Sequence, residues 1–105
     1  MRNILFLLFS FSLTYSYAQQ EEVLDKVINE WHQNAANAAF DAYFDITTDD
    51  FVFLGTAPEE RWEKKEFMTF CKPYFEKKST WDFKPSDRRW NYSEDGNTAW
   101  FDESL

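Results

Sequence analysis

The sequence predicts an α+β fold in which helices cover one face of an antiparallel sheet. Apolar residues recur at helical spacing in the first part of the chain, and alternation typical of strands follows in the last third. The pair Asp95-Gly96 marks a hairpin turn, because this dipeptide suits a turn with positive φ. Helices followed by a meandering sheet, rather than alternating with strands, are typical of this class.

Two helices are predicted at the start of the fold. The first runs from about Glu21 to Asn37, and its apolar positions are Val23, Leu24, Val27, Ile28 and Trp31. The second is short and ends near Thr47-Thr48. Its apolar face carries Phe40, Tyr43 and Phe44.

The middle of the chain is predicted to form a strand, a turn and a third helix. Residues 51–54 are an apolar run of strand length that stops at Gly55, and residues 56–59 form the turn. Residues 60–62 are either a short strand or the lead into the helix. That helix is predicted from Glu63 to about Lys77, with Pro73 kinking or shortening it.

Three strands are predicted in the last third. Thr80–Phe83 and Arg88–Tyr92 alternate like strands, and the residues between them suggest a bulge or a turn. The turn at residues 94–97 then leads to a returning strand over Thr98–Glu103.

Residues 1–18 have the layout of a secretory signal peptide. A positive start precedes the apolar run Ile4–Leu13, and Ser16-Tyr17-Ala18 is a small-x-small cleavage site. The run is too short to span a membrane, which takes about 20 residues. We therefore expect cleavage after Ala18, export to the periplasm or the exterior, and no membrane association afterwards. In that oxidising compartment Cys71 is expected to be buried in the core, and the alternative is a bridge between chains.

Composition argues against several functions. The formal net charge is −8 and no basic stripe is present, so nucleic acid is not an expected partner. A single cysteine excludes an internal disulfide framework and a cysteine-based zinc site. The sequence has no metal-ligand cluster, phosphate loop or nucleotide fingerprint, so neither a metal nor a cofactor is expected.

Short aromatic and charged segments recur through most of the chain after residue 18. They are Trp31-His32, Phe40–Phe44, Asp50–Thr56, Glu60–Trp62, Lys72–Phe75, Trp81–Phe83 and Ala99–Glu103. Together they resemble the SnoaL-like domains of the nuclear transport factor 2-like superfamily, in particular its exported members.

The resemblance implies a cone-like, curved antiparallel sheet wrapped on the N-terminal helices, with a pocket between them and a homodimer in the full-length form. It also implies further strands after Ala99–Glu103. Residues 19–105 are therefore expected to be an incomplete domain, unstable or self-associating by itself, because missing strands would leave apolar surface exposed.

The resemblance leaves the reaction open, because this superfamily includes isomerases, cyclases, dehydratases and non-enzymatic modules. Compared without gaps with its ketosteroid isomerases, the chain has Gly55 at the position of their catalytic aspartate and Trp31 at that of their tyrosine. Isomerase chemistry is therefore disfavoured.

His32 and Asp102 are the candidate catalytic residues. His32 is the only histidine and lies at the edge of the apolar stripe, where it could act as an acid or base, or could simply be a boundary residue. Asp102 and Glu103 point to opposite faces of a strand, so one of them could face the interior.

Arg61 beside Trp62 could clamp a carboxylate ligand, or could instead form an ion pair with a neighbouring glutamate. The abundant aromatic residues mean that any remaining pocket would be apolar. The candidate ligand-binding residues are Trp31, His32, Tyr43, Arg61, Trp62 and Trp100.

The leading hypothesis is thus a module that binds a small apolar or carboxylate-bearing ligand. The alternative is a cofactor-independent isomerase, cyclase or dehydratase that uses His32 as its acid/base.

Overall fold

A computed structural model describes the chain from Arg2 to Leu105, with side chains described from Tyr17 onward. Helices and small antiparallel sheets make up the fold, so the predicted α+β class is confirmed. The elements in chain order are α1 (Arg2–Ala36), α2 (Phe40–Asp45), β1 (Val52–Leu54), β2 (Arg61–Glu63), α3 (Lys64–Glu76), β3 (Ser86–Tyr92) and β4 (Ala99–Ser104).

These elements form two compact units. One contains the chain up to Asn29 together with Pro85–Leu105, and the other contains Glu30–Lys84. The described strands form two separate two-stranded sheets, β1 with β2 and β3 with β4, rather than the single curved sheet that the resemblance implies.

Helix α1 contains the first predicted helix and ends one residue before the predicted end, but it begins at Arg2 instead of Glu21. At its C-terminus Ala38 takes a positive φ of 56°, and the N–H of Ala39 donates to the carbonyl of Asn34 at 2.9 Å. This turn leads directly into α2. The side chains of residues 1–16, which carry most of the predicted signal peptide, lie outside the described residues. Within the described part of the chain, no helix is both long and apolar enough to cross a bilayer.

Aromatic rings fill the core of the unit Glu30–Lys84. Its buried residues are Ala35, Tyr43, Phe44, Phe67, Cys71 and Phe75. Phe53 stacks on Phe67 with ring centroids 4.0 Å apart, which attaches β1 to α3. Ring pairs of this kind contribute about 0.5–1.5 kcal/mol each beyond the burial of their area. Cys71 is fully buried, as predicted from its type.

The loop between β1 and β2 is closed by Glu60. Its carboxylate accepts hydrogen bonds from the N–H groups of Thr56 and Ala57, at 2.9 and 3.4 Å. A Cβ atom at Gly55 would collide with the Glu60 side chain, so only glycine fits where the strand stops. The two alternatives for residues 60–62 are a short strand and the lead into a helix, and each is partly correct. Strand β2 leads without a break into α3.

Helix α3 passes through Pro73 and ends at Glu76, so the proline falls in the last turn. A proline there removes one hydrogen bond of the helix interior but leaves only three residues to continue. The helix therefore keeps close to its predicted length.

The predicted strand over Thr80–Phe83 is wrong, because no strand forms there. Trp81 instead packs its ring against Tyr43 and Phe75, at 6.0 and 5.7 Å. A strand needs a hydrogen-bonded partner strand. The position of this segment is determined instead by the packing of one large side chain, Trp81.

Strands β3 and β4 form the predicted hairpin. Gly96 has a φ of +72° in its turn, which a residue with a Cβ rarely adopts. The register places Arg89 opposite Asp102 but Ser86 opposite Ser104, so β3 carries one residue more than β4 between these pairs. This is the predicted bulge, and Asp87 within it has a φ of 55°.

Candidate functional site

Trp31, His32 and Tyr43 lie together in the core of the unit Glu30–Lys84. Trp31 stacks on Tyr43 at 4.7 Å, and its indole N–H donates to the carbonyl oxygen of Tyr43 at 2.9 Å. His32 is 9% exposed and lies near the rings of Trp31 and Phe83, at 5.5 and 6.3 Å. The structure thus brings three of the predicted site residues together, packed as core side chains.

Tyr43 and Cys71 are held in their neutral forms. Burial, with a smaller contribution from Cys71, raises the pKa of Tyr43 well above its usual value. Burial also raises the pKa of the Cys71 thiol to about 12. At neutral pH neither group offers the anion that a nucleophile or a base requires.

Arg61 and Trp62 lie on opposite faces of β2. The Trp62 ring turns inward and stacks on Phe70 at 5.1 Å, whereas Arg61 is exposed opposite Leu54. Adjacent residues in a strand point to opposite faces, so this pair does not converge on one ligand. The charged residues that lie beside Trp62 come from α3 instead.

An open groove of about 520 Å³ runs between Trp62 and the first two turns of α3. Its lining is Trp62, Lys65, Glu66, Thr69 and Phe70. The ring of Phe70 is 42% exposed and stacks at an angle of 24° to that of Trp62, which gives the groove an aromatic wall. Its volume is within the range of small-molecule sites.

Lys65 and Glu66 provide the charges of this groove. Within residues 17–105, neither side chain forms a hydrogen bond or an ion pair with another residue. The Thr69 hydroxyl donates to the carbonyl of Lys65 at 3.0 Å, and its oxygen can still accept. The groove therefore combines an apolar wall with uncompensated polar groups, as ligand sites commonly do. Sequence reasoning identified Trp62 but missed Lys65, Glu66, Thr69 and Phe70, although their i, i+4 spacing beside a tryptophan was a usable signal.

Trp100 and Asp102 lie on the outer face of β4. Trp100 is 53% exposed, and Asp102 pairs across the sheet with the exposed Arg89. Glu103 is the carboxylate that points inward, with its side chain 6% exposed. Of the two alternatives left open by the strand pattern, the structure thus places Glu103 inside.

A partly buried ionic cluster surrounds Arg88 in the other unit. Its Nε donates to Glu103 Oε2 at 2.7 Å, one terminal nitrogen donates to Asp25 Oδ1 at 3.1 Å, and the other donates to Asn29 Oδ1 at 2.8 Å. The indole N–H of Trp90 donates to the same Asp25 oxygen at 2.7 Å. The Arg88 side chain is 10% exposed.

This cluster is already satisfied by the protein. Each nitrogen of the Arg88 guanidinium has an acceptor, so a ligand carboxylate would have to displace one of them. Burial, with the carboxylates of Glu21 and Asp25, raises the pKa of the neighbouring Tyr92. The cluster therefore works as a clamp between α1 and the β3–β4 hairpin. Over the described residues, no group of three or more histidine, cysteine, aspartate or glutamate side chains could hold a metal ion.

Comparison with known proteins agrees with this architecture. Searches of curated proteins and of solved structures give no significant match. The family model described as the SnoaL-like domain matches residues 24–105, which is most of the chain. The protein therefore belongs to the SnoaL-like domain family of the nuclear transport factor 2-like superfamily.

Proposed function

We propose that this SnoaL-like protein binds a small apolar or carboxylate-bearing ligand in the groove between Trp62 and α3. The observation that carries the proposal is the stack of the exposed Phe70 on the half-buried Trp62, with Lys65 beside it. A ligand ring gains contact area against the two aromatic side chains, and its carboxylate faces the Lys65 ammonium, which has no partner among residues 17–105.

Two other arrangements fit ligand binding less well. Every nitrogen of the Arg88 guanidinium already donates a hydrogen bond, to Asp25, Asn29 or Glu103. His32 is buried near Trp31 and Phe83, where a substrate would have to displace packed rings. The groove at Trp62 is open without any such displacement.

Binding in this groove is tested by a thermal-shift screen of the full chain against hydrophobic carboxylic acids. At ten times its dissociation constant, a ligand stabilises the folded state by about 1.4 kcal/mol, which raises the Tm of a small domain by several degrees. We expect Lys65→Met to weaken binding of the acids about threefold and so to reduce the shift that they give, because exposed charge pairs are individually weak.

Arg61→Met is the matched control, because Arg61 is exposed and lies on the face of β2 away from Trp62. It should leave the shift unchanged. Loss of binding in Arg61→Met but not in Lys65→Met would place the ligand on the other face, and no shift with any acid would refute ligand binding at the groove.

We also propose that the protein acts outside the cytoplasm, on the strength of the signal-peptide layout of residues 1–18. Expression of the full chain in a bacterial host, followed by mass measurement of the extracytoplasmic fraction, tests this. The expected product begins at Gln19, and full-length protein confined to the cytoplasm would contradict it.

A further inference from the structure

The groove at Trp62 contains both a positive and a negative side chain. Lys65 and Glu66 are consecutive in the first turn of α3, about 100° apart around the helix axis. Both line the groove, and neither is paired within residues 17–105. A ligand with a carboxylate alone would meet Lys65 favourably but would also lie close to the Glu66 carboxylate.

Thr69 adds a further acceptor to the groove, because its hydroxyl oxygen can still accept a hydrogen bond. Thr69 lines the groove next to Glu66. The acceptors on this side of the groove are therefore a carboxylate and a hydroxyl oxygen, which suit a ligand ammonium.

From this arrangement we infer that the groove selects a small aromatic zwitterion, a molecule with a ring, a carboxylate and an ammonium group, such as an aromatic amino acid. The ring lies against Trp62 and Phe70, the carboxylate faces Lys65, and the ammonium faces Glu66. This inference rests on the proposed ligand-binding function and specifies its ligand class.

The test compares three probes that share one ring and differ in charge. They are phenylalanine, 3-phenylpropionate, which lacks the ammonium, and 2-phenylethylamine, which lacks the carboxylate. Dissociation constants are measured by calorimetry with the full chain. Exposed charge pairs are individually weak, so we expect phenylalanine to bind about threefold tighter than either single-charge probe.

Glu66→Gln should remove the preference for phenylalanine over 3-phenylpropionate, and Lys65→Met should remove its preference over 2-phenylethylamine. Glu63→Gln is the matched control, because Glu63 is exposed on β2 and does not line the groove. It should change none of the three constants by as much as twofold.

The two proposals fail in different ways. If 3-phenylpropionate binds as tightly as phenylalanine, and Glu66→Gln changes nothing, the zwitterion inference is overturned while ligand binding stands. If 2-phenylethylamine matches phenylalanine, the inference is overturned as well. If none of the three probes binds, the zwitterion inference is overturned, and ligand binding falls with it only if the thermal-shift screen of hydrophobic acids is negative as well.

Discussion

The Cys71 thiol is the most deeply buried reactive group among the described side chains, and it lies near Tyr43. Its pKa is raised to about 12, and that of Tyr43 is raised as well. Both groups are acids that lose their protons more readily in the unfolded chain. The unfolded state therefore binds fewer protons above about pH 9, and stability falls as the pH rises from there towards 12.

Below pH 9 we expect the Cys71 thiol to cause no pH dependence in the free energy of unfolding measured in urea. Above pH 9 we expect this free energy to decrease. Cys71→Ala removes one of the two groups, so its stability should fall less steeply between pH 9 and 11 than that of the natural chain. Parallel slopes in the two proteins would contradict this role for Cys71.

Arg88 should be the most sensitive charged side chain in its unit. Arg88→Met removes the guanidinium that pairs with the Glu103 carboxylate, whose side chain is only 6% exposed, and breaking a buried pair in this way costs about 3–5 kcal/mol. Arg89→Met, one residue away and exposed, should cost less than about 1 kcal/mol. Urea unfolding of the two variants measures the difference, and equal losses would show that Arg88 is not a clamp.

At the scale of elements, the β3–β4 hairpin depends on the backbone of its turn. The hydroxyl of Ser93 and the amide of Asn97 both bond the Asp95 carboxylate, and these hydrogen bonds lower the pKa of Asp95. Gly96 has open space around its missing side chain, so only its positive φ argues against substitution.

Gly96→Ala should therefore destabilise the protein by about 1 kcal/mol, the cost of placing an L-residue in the left-handed region. Glu94→Ala, in the same turn, is expected to be close to neutral. Thermal unfolding compares them, and a neutral Gly96→Ala variant would mean that the turn can change its type.

Elements with a strong local signal could be predicted from the sequence, and those defined by distant partners could not. The helical spacing before Asn37 and the Asp95-Gly96 turn are local, and both were predicted correctly. The alternation at Thr80–Phe83 is also local but misleading. Whether such a segment becomes a strand depends on a partner strand that can form hydrogen bonds with it. Here Trp81 packs against Tyr43 and Phe75 instead.

At the scale of the whole molecule, the candidate site also combines features that a local sequence pattern predicts with features that depend on distant parts of the chain. The sequence predicts Trp62 as a ligand residue because it follows Arg61. The i, i+4 spacing of Lys65, Glu66, Thr69 and Phe70 indicates two rows on one helix, but only the direct passage of β2 into α3 shows that these rows lie beside Trp62. The Arg88 cluster joins residues more than 50 positions apart. No local pattern specifies such a contact, because it depends on how α1 packs on the hairpin.

Apolar side chains remain exposed in the unit that contains the hairpin. Val23, Val27 and Trp100 are 62%, 42% and 53% exposed. Contact of these side chains, above all the Trp100 indole, with a second chain would remove apolar surface from water and so favour association. We expect concentration-dependent self-association of the chain, measured by sedimentation velocity.

Trp100→Ser should weaken that association, since it removes the largest of these side chains. Asn91→Ser is the matched control, because Asn91 lies directly opposite Trp100 on the same face of the sheet. Equal sedimentation of both variants and the natural chain over the whole concentration range would contradict a contact at Trp100.

The bulge in β3 also determines how the chain tolerates changes in length. Deletion of Asp87 would restore regular pairing and would shift only the residues that precede it, so Arg88, Trp90 and Tyr92 would keep their inward positions. Deletion of Arg89 instead would bring Arg88 to the outer face, because each one-residue step reverses the side of a strand. The first deletion would thus leave the Arg88 side chain facing inward, and the second would turn it outward. Natural length variation in this hairpin should therefore be confined to the side of the bulge that precedes Arg88.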